Sequence, residues 1–166
     1  EASDKFAEAD EKEKGNVEVI HHYFLALHSL KKVKLAREVL ERGLKINPID
    51  MELLKDKLAL EIANELWGDA ESTANSLLME HNEAGYEVHY FKGVALLKLD
   101  RQDEAKEAFE MALSKEKNYP EIFYWLSELK SNDPKLLKKY NDLCLKKKAN
   151  LRDPALCSRA KEKGMR

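Results

Sequence analysis

The chain has 166 residues, of which 43% are hydrophobic and 36% charged, and it contains only 6 glycines and 4 prolines. That length suits one domain with a sizeable core. The composition excludes a disordered, collagen-like or low-complexity chain, and it disfavours an all-β protein, which needs many Gly and Pro turns. No apolar run approaches the roughly 20 residues that cross a bilayer, so we expect a soluble protein without a transmembrane segment.

Charge is distributed unevenly along the chain. The net charge is −2, from 29 Lys and Arg against 31 Asp and Glu. Residues 130–166 hold 12 basic and 4 acidic residues, a net charge of +8, which leaves −10 for residues 1–129. The basic stretch could bind nucleic acid or an anionic membrane by releasing counterions. Its single aromatic residue is Tyr140 and its lysines alternate with apolar residues, so we favour a solvated helix face and disfavour a nucleic-acid partner.

The first element in chain order is a polar segment. Residues 1–16 are rich in acids and lysines and poor in apolar side chains, which is typical of a polar leader or of an extra solvated helix. Gly15 then interrupts the chain, and Asn16 is a suitable N-cap for a following helix.

An internal repeat occupies the residues that follow. Residues 17–48 align with residues 86–117 at a constant offset of 69, which equals two periods of 34 to 35 residues. Apolar and small residues recur in register at this offset: Leu27 with Leu96, Leu30 with Leu99, Ala36 with Ala105, Leu40 with Phe109, and Leu44 with Leu113. Pro48 and Pro120 lie at junctions between repeats, where a helix must end. Apolar residues three and four apart predict amphipathic α-helices that stack into a continuous core.

The repeated residues resemble the tetratricopeptide repeat (TPR), a helix-turn-helix unit of 34 residues. Residues 93–113 closely resemble the central part of the repeat, with small residues, Gly93 and Ala105, where the two helices cross closely and the large Phe109 one turn later. Residues 36–48 resemble a second helix that ends at a proline.

The resemblance implies an all-α fold, a TPR-like superhelical array of helix-turn-helix repeats. About three and a half repeats occupy residues 17–130, and residues 131–166 form basic C-terminal capping helices. The first repeat departs from the pattern, because Phe24 stands where the third repeat has Gly93. The second repeat departs further, since its small and large residues do not fall at the expected spacing.

Two cysteines lie in the basic C-terminal stretch. A helix should begin there with Asp133 as N-cap and Pro134 in the first turn, and Cys144 lies on its apolar stripe. If a second short helix follows, Cys144 and Cys157 could form a disulfide that closes a helical hairpin, or they could remain two ordinary thiols. A disulfide favours an exported or periplasmic location, whereas free thiols favour the cytoplasm.

The sequence carries no pattern typical of catalysis or cofactor binding. Its five histidines lack the close spacing with acids or thiolates that metal sites prefer. It has no glycine-rich phosphate loop, nucleophile elbow or CxxC motif. We therefore expect no metal, no cofactor and no enzymatic activity.

The resemblance places function in the concave groove that TPR arrays line with the first helix of each repeat. The positions that it implies here are His21, Leu25, His28, Lys55, Ala59, Ile62, Tyr90, Val94, Leu97, Tyr124 and Glu128. Chaperone-binding members of the family carry a clamp of Lys, Asn and Arg, whose places in this chain hold His21, Leu25, Asp56, Glu87 and Phe91. An acidic chaperone tail is therefore disfavoured as a partner, and a peptide or amphipathic helix of another protein is favoured.

The resulting hypothesis is a non-enzymatic scaffold or adaptor that assembles a protein complex through the groove. Two alternatives stay open. The array could be a structural spacer within a larger bacterial-type envelope, secretion or motility assembly, with its groove filled by the chain's own leader or tail. The basic tail could instead bind an anionic surface.

Overall fold

The computed structural model describes residues 2–13, 15–131 and 133–146, and the secondary structure of these residues is α-helical without a strand. The predicted all-α fold is confirmed. The chain divides into two compact units, of which the first ends at Ala84 and the second begins at Gly85.

The helices of each unit pack mainly in consecutive pairs. The described part of the first unit contains α1 (Ala2–Lys12), α2 (Val17–Ser29), α3 (Val33–Ile46), α4 (Met51–Ala63) and α5 (Trp67–Glu80). The described part of the second unit contains α6 (Tyr86–Lys98), α7 (Gln102–Lys115), α8 (Pro120–Leu129) and α9 (Pro134–Lys146). The pairs are α2 with α3, α4 with α5, α6 with α7, and α8 with α9. Their first helices begin at residues 17, 51, 86 and 120, which confirms the period of 34 to 35 residues and sets the register of the second repeat.

Polar caps begin three of these helices. The Asn16 side chain accepts a hydrogen bond from the backbone N–H of Glu18 at 3.0 Å, and Asp50 accepts from two backbone N–H groups of α4 at 3.1 Å each. Asp133 accepts from the backbone N–H of Lys135 at 2.8 Å at the start of α9. The predicted caps at Asn16 and Asp133 are confirmed, and each satisfies backbone donors that a helix start leaves unpaired.

The turn between the two helices of a repeat has the same backbone conformation each time. One residue in each turn takes a left-handed conformation with φ between 56° and 61°: Lys31, Glu65, Asp100 and Ser131. In the first turn the backbone N–H of Lys32 donates to the Leu27 carbonyl at 3.0 Å, the bond that closes a Schellman motif. Because none of the four residues is glycine, every turn carries a backbone strain of about 1 kcal/mol.

Close helix crossing explains the small residues of the third repeat. A Cβ atom added to Gly93 would lie 2.7 Å from the Phe109 ring, so α6 and α7 approach until the ring fills the space that a side chain would take. Ala105, on the same face of α7, is fully buried. The predicted pairing of small residues with a large one is therefore present in this repeat.

The second repeat has the residue sizes exchanged at these two positions. By the repeat period, Leu58 of α4 stands where Gly93 stands, and Ala74 of α5 stands where Phe109 stands. Leu58 and Ala74 are both buried. The irregular spacing in the sequence of this repeat thus reflects a large residue on the first helix and a small one on the second.

The N-terminal residues form α1, which packs against the first repeat. The ring of Phe6 stacks on His22 with a centroid distance of 5.9 Å, and Ala7 packs against the core of the unit. The buried Asp10 carboxylate pairs with Arg42 of α3. Helix α1 thus covers part of α2 and α3 with one aromatic contact and one ion pair.

The helix α9 closes the described part of the second unit. Tyr140 is fully buried, and with the buried Cys144 it packs beside Phe123 and Tyr124 of α8. Cys157 lies outside the described residues, so the Cys144–Cys157 disulfide stays a prediction. The greater part of the basic tail also lies outside them.

Candidate functional site

The predicted groove residues lie on the first helices of the repeats. We call the surface of α2 and α4 the first face, which belongs to the first unit, and the surface of α6 and α8 the second face, which belongs to the second unit. The first face carries His21, Leu25, His28, Lys55, Ala59 and Ile62. The second face carries Tyr90, Val94, Leu97, Tyr124 and Glu128. Within each helix these residues are three or four apart and therefore form one stripe.

A hydrogen-bonded pair joins the two helices of the first face. His21 Nδ1 lies 2.6 Å from Asp56 Oδ2, so one proton is shared between α2 and α4 at this point. The His21 side chain is 24% exposed and the Asp56 side chain 11% exposed. The contact therefore lies at the edge of the first face and is accessible mainly through the imidazole.

Burial changes the acidity of the Asp56 carboxyl group. The pKa of Asp56 is raised from 3.8 to about 6, and the main cause is burial of the carboxylate. The hydrogen bond and the charge of His21 oppose the rise, while the nearby Glu52 and Asp50 carboxylates add to it. Asp56 therefore changes between a carboxylate and a neutral acid in the mildly acidic range around pH 6.

The rest of the first face mixes apolar and charged side chains. Leu25 is 44% exposed and His28 is also exposed, so α1 leaves both accessible. Lys55 Nζ donates to Glu52 Oε1 at 2.9 Å, an exposed pair within α4. The first unit's own N-terminal helix therefore does not fill this part of the predicted groove.

Two tyrosines that we expected on the groove surface are buried in the second unit. Tyr90 is 8% exposed, with ring centroids 5.3 Å from Tyr119 and 6.0 Å from Phe109. Tyr124 is 5% exposed and lies 5.5 Å from Tyr140. Both rings are packed on several sides by aromatic neighbours, so they contribute to the core rather than to a surface for a ligand.

The second face nevertheless has accessible apolar surface. Its half-buried side chains include Phe91, Val94, Leu97, Trp125 and Glu128. Trp125 Nε1 donates to the Tyr90 hydroxyl at 3.4 Å, and its ring stacks parallel to Phe109 at 6.5 Å. Trp125 is the accessible member of the aromatic run on α8, since its neighbours Phe123 and Tyr124 are buried. The second face therefore offers one indole, one phenyl ring and two aliphatic side chains.

Trp125 is absent from the predicted groove positions, and Asp56 and Phe91 were named in the sequence analysis only as occupants of the clamp positions. Each is one position after a predicted groove residue on its helix. The two bridging contacts, from His21 to Asp56 and from Tyr90 to Trp125, both span 35 residues. In both contacts the second residue lies one repeat period of 34 residues plus one residue after the first, and a search of the sequence at this spacing could have found the two pairs.

Two further features bear on the kind of site. Among the residues that the structure describes, no three His, Cys, Asp or Glu side chains come close enough to hold a metal ion. Across the same residues, no helix combines the length and apolar character needed to cross a bilayer.

Comparison with known proteins agrees with this architecture. A tetratricopeptide repeat family model matches residues 86–118, which span α6 and α7. A search of proteins of curated function finds no match. Among solved structures, the MamA RS-1 ArsTM double mutant is 16% identical with a TM-score of 0.78, covering 89% of this chain and 86% of that chain.

Two further solved structures have the same fold. MamA from Desulfovibrio magneticus RS-1, residue 41 to its end, is 16% identical with a TM-score of 0.76, over 89% of this chain and 85% of that chain. YrrB, described as a TPR protein with an unusual peptide-binding site, is 15% identical with a TM-score of 0.69, over 97% of this chain and 93% of that chain. At these identities the similarity establishes the fold, and the predicted resemblance to TPR proteins is confirmed.

Proposed function

We propose that this tetratricopeptide-repeat protein is a non-enzymatic scaffold that binds a peptide or an amphipathic helix of another protein on its second face. Arrays of this kind display an extended surface built from successive repeats. YrrB, a structural neighbour, is described as having a peptide-binding site, and a peptide is the ligand class that we propose here.

The observation that carries the proposal is the chemistry of the second face. Phe91, Val94 and Leu97 of α6 and Trp125 of α8 are all half-buried and leave part of their apolar surface in water. These side chains pack partly against the core of the second unit, and the apolar surface that they leave in water favours a protein-interaction site. An apolar side chain of a partner would remove it from water, which stabilises the complex by about 25 cal/mol per Å².

The first face supplies a different kind of contact. His21 and Asp56 form a polar bridge, and Leu25 lies one turn further along α2 with almost half of its side chain exposed. Hydrogen-bonding groups next to an apolar residue fix the register of a bound peptide more than they add to its affinity. We therefore propose that the first face, as a surface of its own unit, is suited to selective polar contacts rather than to high affinity.

A selection experiment tests the proposal. Peptides are selected from a displayed random library against the whole chain, and the affinity of the best peptide is measured by fluorescence anisotropy. Replacing both Val94 and Leu97 by Glu should weaken binding at least tenfold, because each carboxylate would be desolvated against apolar peptide side chains. The helical content should be unchanged, since both side chains are only half-buried.

Met111→Glu is the matched control, because Met111 is an apolar residue of α7 that is 51% exposed and lies on the second helix of the same repeat. This variant should keep the wild-type affinity. If Met111→Glu weakens binding as much as the substitutions on α6, or if neither does, the second face is not the binding surface.

A further inference from the structure

The second repeat carries two polar residues at positions where the repeats on either side are apolar. By the repeat period, Glu61 of α4 is equivalent to Leu27 and Leu96, each of which is 1% exposed. Glu61 is itself only 6% exposed. On the second helix of the same repeat, Thr73 is buried at the position that Val39 and Ala108 occupy in the first and third repeats: one aliphatic residue and one alanine.

The Glu61 carboxylate is poorly satisfied for a buried group. Among the described residues, its Oε2 atom has no partner at hydrogen-bond geometry, and neither has the Thr73 hydroxyl. Burial raises the pKa of Glu61, and the nearby Thr73 and Lys57 side chains only partly oppose that rise. Its Oε1 atom lies 3.6 Å from Lys57 Nζ, a longer separation than a hydrogen bond. A buried carboxylate without strong donors is costly, so an apolar residue here would serve the fold better.

Glu61 lines a cleft between three helices of the first unit. The cleft has a volume of about 240 Å³, which suits one side-chain-sized group and is smaller than a typical drug-sized site. Its charged lining consists of Arg37 and Glu41 from α3, Lys57 and Glu61 from α4, and Asp69 from α5. With three carboxylates against two cations, the lining has a net charge of −1 when all five groups are ionised.

We propose that this cleft is a binding site for a guanidinium or alkylammonium group, which the Glu61 carboxylate recognises. Such a group donates the hydrogen bonds that the carboxylate lacks, and it neutralises the net charge of the lining. Lys57 is 42% exposed on a flexible side chain, so an incoming cation displaces its amine into solvent at low cost.

The site is separate from the faces in the proposed function. Lys57 and Glu61 lie two residues beyond Lys55 and Ala59 respectively, which rotates them about 200° around α4. Loss of binding at one site therefore leaves the other intact, and failure of the peptide experiment does not affect this one.

Agmatine and the blocked peptide acetyl-Gly-Arg-Gly-amide are the two probes, titrated into the whole chain up to about 10 mM and followed by NMR shifts of the α4 and α5 backbone amides. The first probe represents a free small cation and the second an arginine of a partner protein. Binding of both indicates recognition of the group itself, and binding of the peptide alone indicates a protein partner. Absence of saturable shifts with both probes would overturn the proposal.

Two variants connect the binding to Glu61. Glu61→Gln should weaken binding at least tenfold, whereas Glu38→Gln, the same change on an exposed residue of α3, should not. Glu61→Leu restores the residue of the other repeats and should both abolish binding and raise the melting temperature. Equal affinity of the wild type and Glu61→Gln, or a lower melting temperature for Glu61→Leu, would contradict the assignment, because Glu61 would then be a structural residue.

Discussion

The two units build the same contact from different chemistry. In the first unit, His21 of α2 bonds to Asp56 of α4, and in the second unit Trp125 of α8 bonds to Tyr90 of α6, at the same positions of the repeat. One contact is a titratable pair, and the other belongs to an aromatic cluster. The comparison shows that the repeat determines which positions meet, while the residues at those positions determine what the surface can bind.

The largest expected effect is on the free energy of unfolding, from substitutions at Gly93 and Phe109, the two positions where residue size is exchanged between the second and third repeats. Phe109→Ala in the second unit should destabilise the protein by about 3 to 5 kcal/mol, because it leaves a cavity against α6. Gly93→Leu alone should also destabilise, since its Cβ would lie 2.7 Å from the Phe109 ring. The double variant reproduces Leu58 and Ala74 of the second repeat and should recover more than 1 kcal/mol relative to the sum of the single effects.

Chemical denaturation of the two single variants and the double variant measures this coupling. If the losses of stability in the two single variants simply add in the double variant, a large residue on the first helix does not compensate for a small one on the second.

Acidification should affect the two units in opposite directions. The folded first unit binds a proton at Asp56 more tightly than the unfolded chain does, since the pKa is raised to about 6, so its stability rises as the pH falls. The gain amounts to roughly 1 kcal/mol per pH unit between about 6 and 4. Relative to Asp56→Asn, the wild type should therefore become about 1 kcal/mol more stable between pH 7 and pH 5.

The second unit contains the opposite case. Burial lowers the pKa of His89 below 6.5, and the positive charges of Lys115 and Lys92 lower it further. The unfolded chain then binds the proton more tightly, so stability is lost as the pH falls below 6.5. Relative to His89→Gln, the wild type should become less stable between pH 7 and pH 5 in urea denaturation. A change of the same sign for Asp56 and His89 would refute the contrast between the units.

The smallest expected effect is the same in both units. Lys31→Gly in the first unit and Asp100→Gly in the second should each stabilise the protein by up to about 1 kcal/mol, because glycine adopts the left-handed turn without strain. Glu38→Gly, in the middle of α3, should instead destabilise by about 1 kcal/mol. Thermal unfolding distinguishes the signs, and a loss of stability in either turn variant would show that its side chain makes a stabilising contact.

Repeat spacing made most of the fold predictable. The offset between residues 17–48 and 86–117 contained the helix boundaries, and the small Gly93 beside the large Phe109 predicted the close crossing of α6 and α7. The second repeat was harder to align, because Leu58 provides on the first helix the bulk that Phe109 provides on the second. Sequence patterns record residue size at a position, and they do not record that volume can move across a helix interface.

The functional surface was less predictable than the fold. A stripe of positions identifies the side of a helix, but burial also depends on the neighbouring helix, and Tyr90 is covered by the aromatic residues of the next repeat. The contact of His21 with Asp56 was not expected either, because the two residues are not equivalent in the repeat. Asp56 lies one position after Lys55, the residue of α4 that is equivalent to His21. Whether an aromatic residue at a predicted groove position belongs to the core or to a binding surface is therefore known only when its neighbours in three dimensions are known.

NMR mapping of a selected peptide on the whole chain tests the central claim most directly. Side-chain signals of Val94, Leu97 and the Trp125 indole should shift in a saturable manner with the peptide, while the Met111 methyl group on α7 should not move. Shifts confined to the second helices, or the absence of shifts at Val94, Leu97 and Trp125 during saturable binding, would contradict the account.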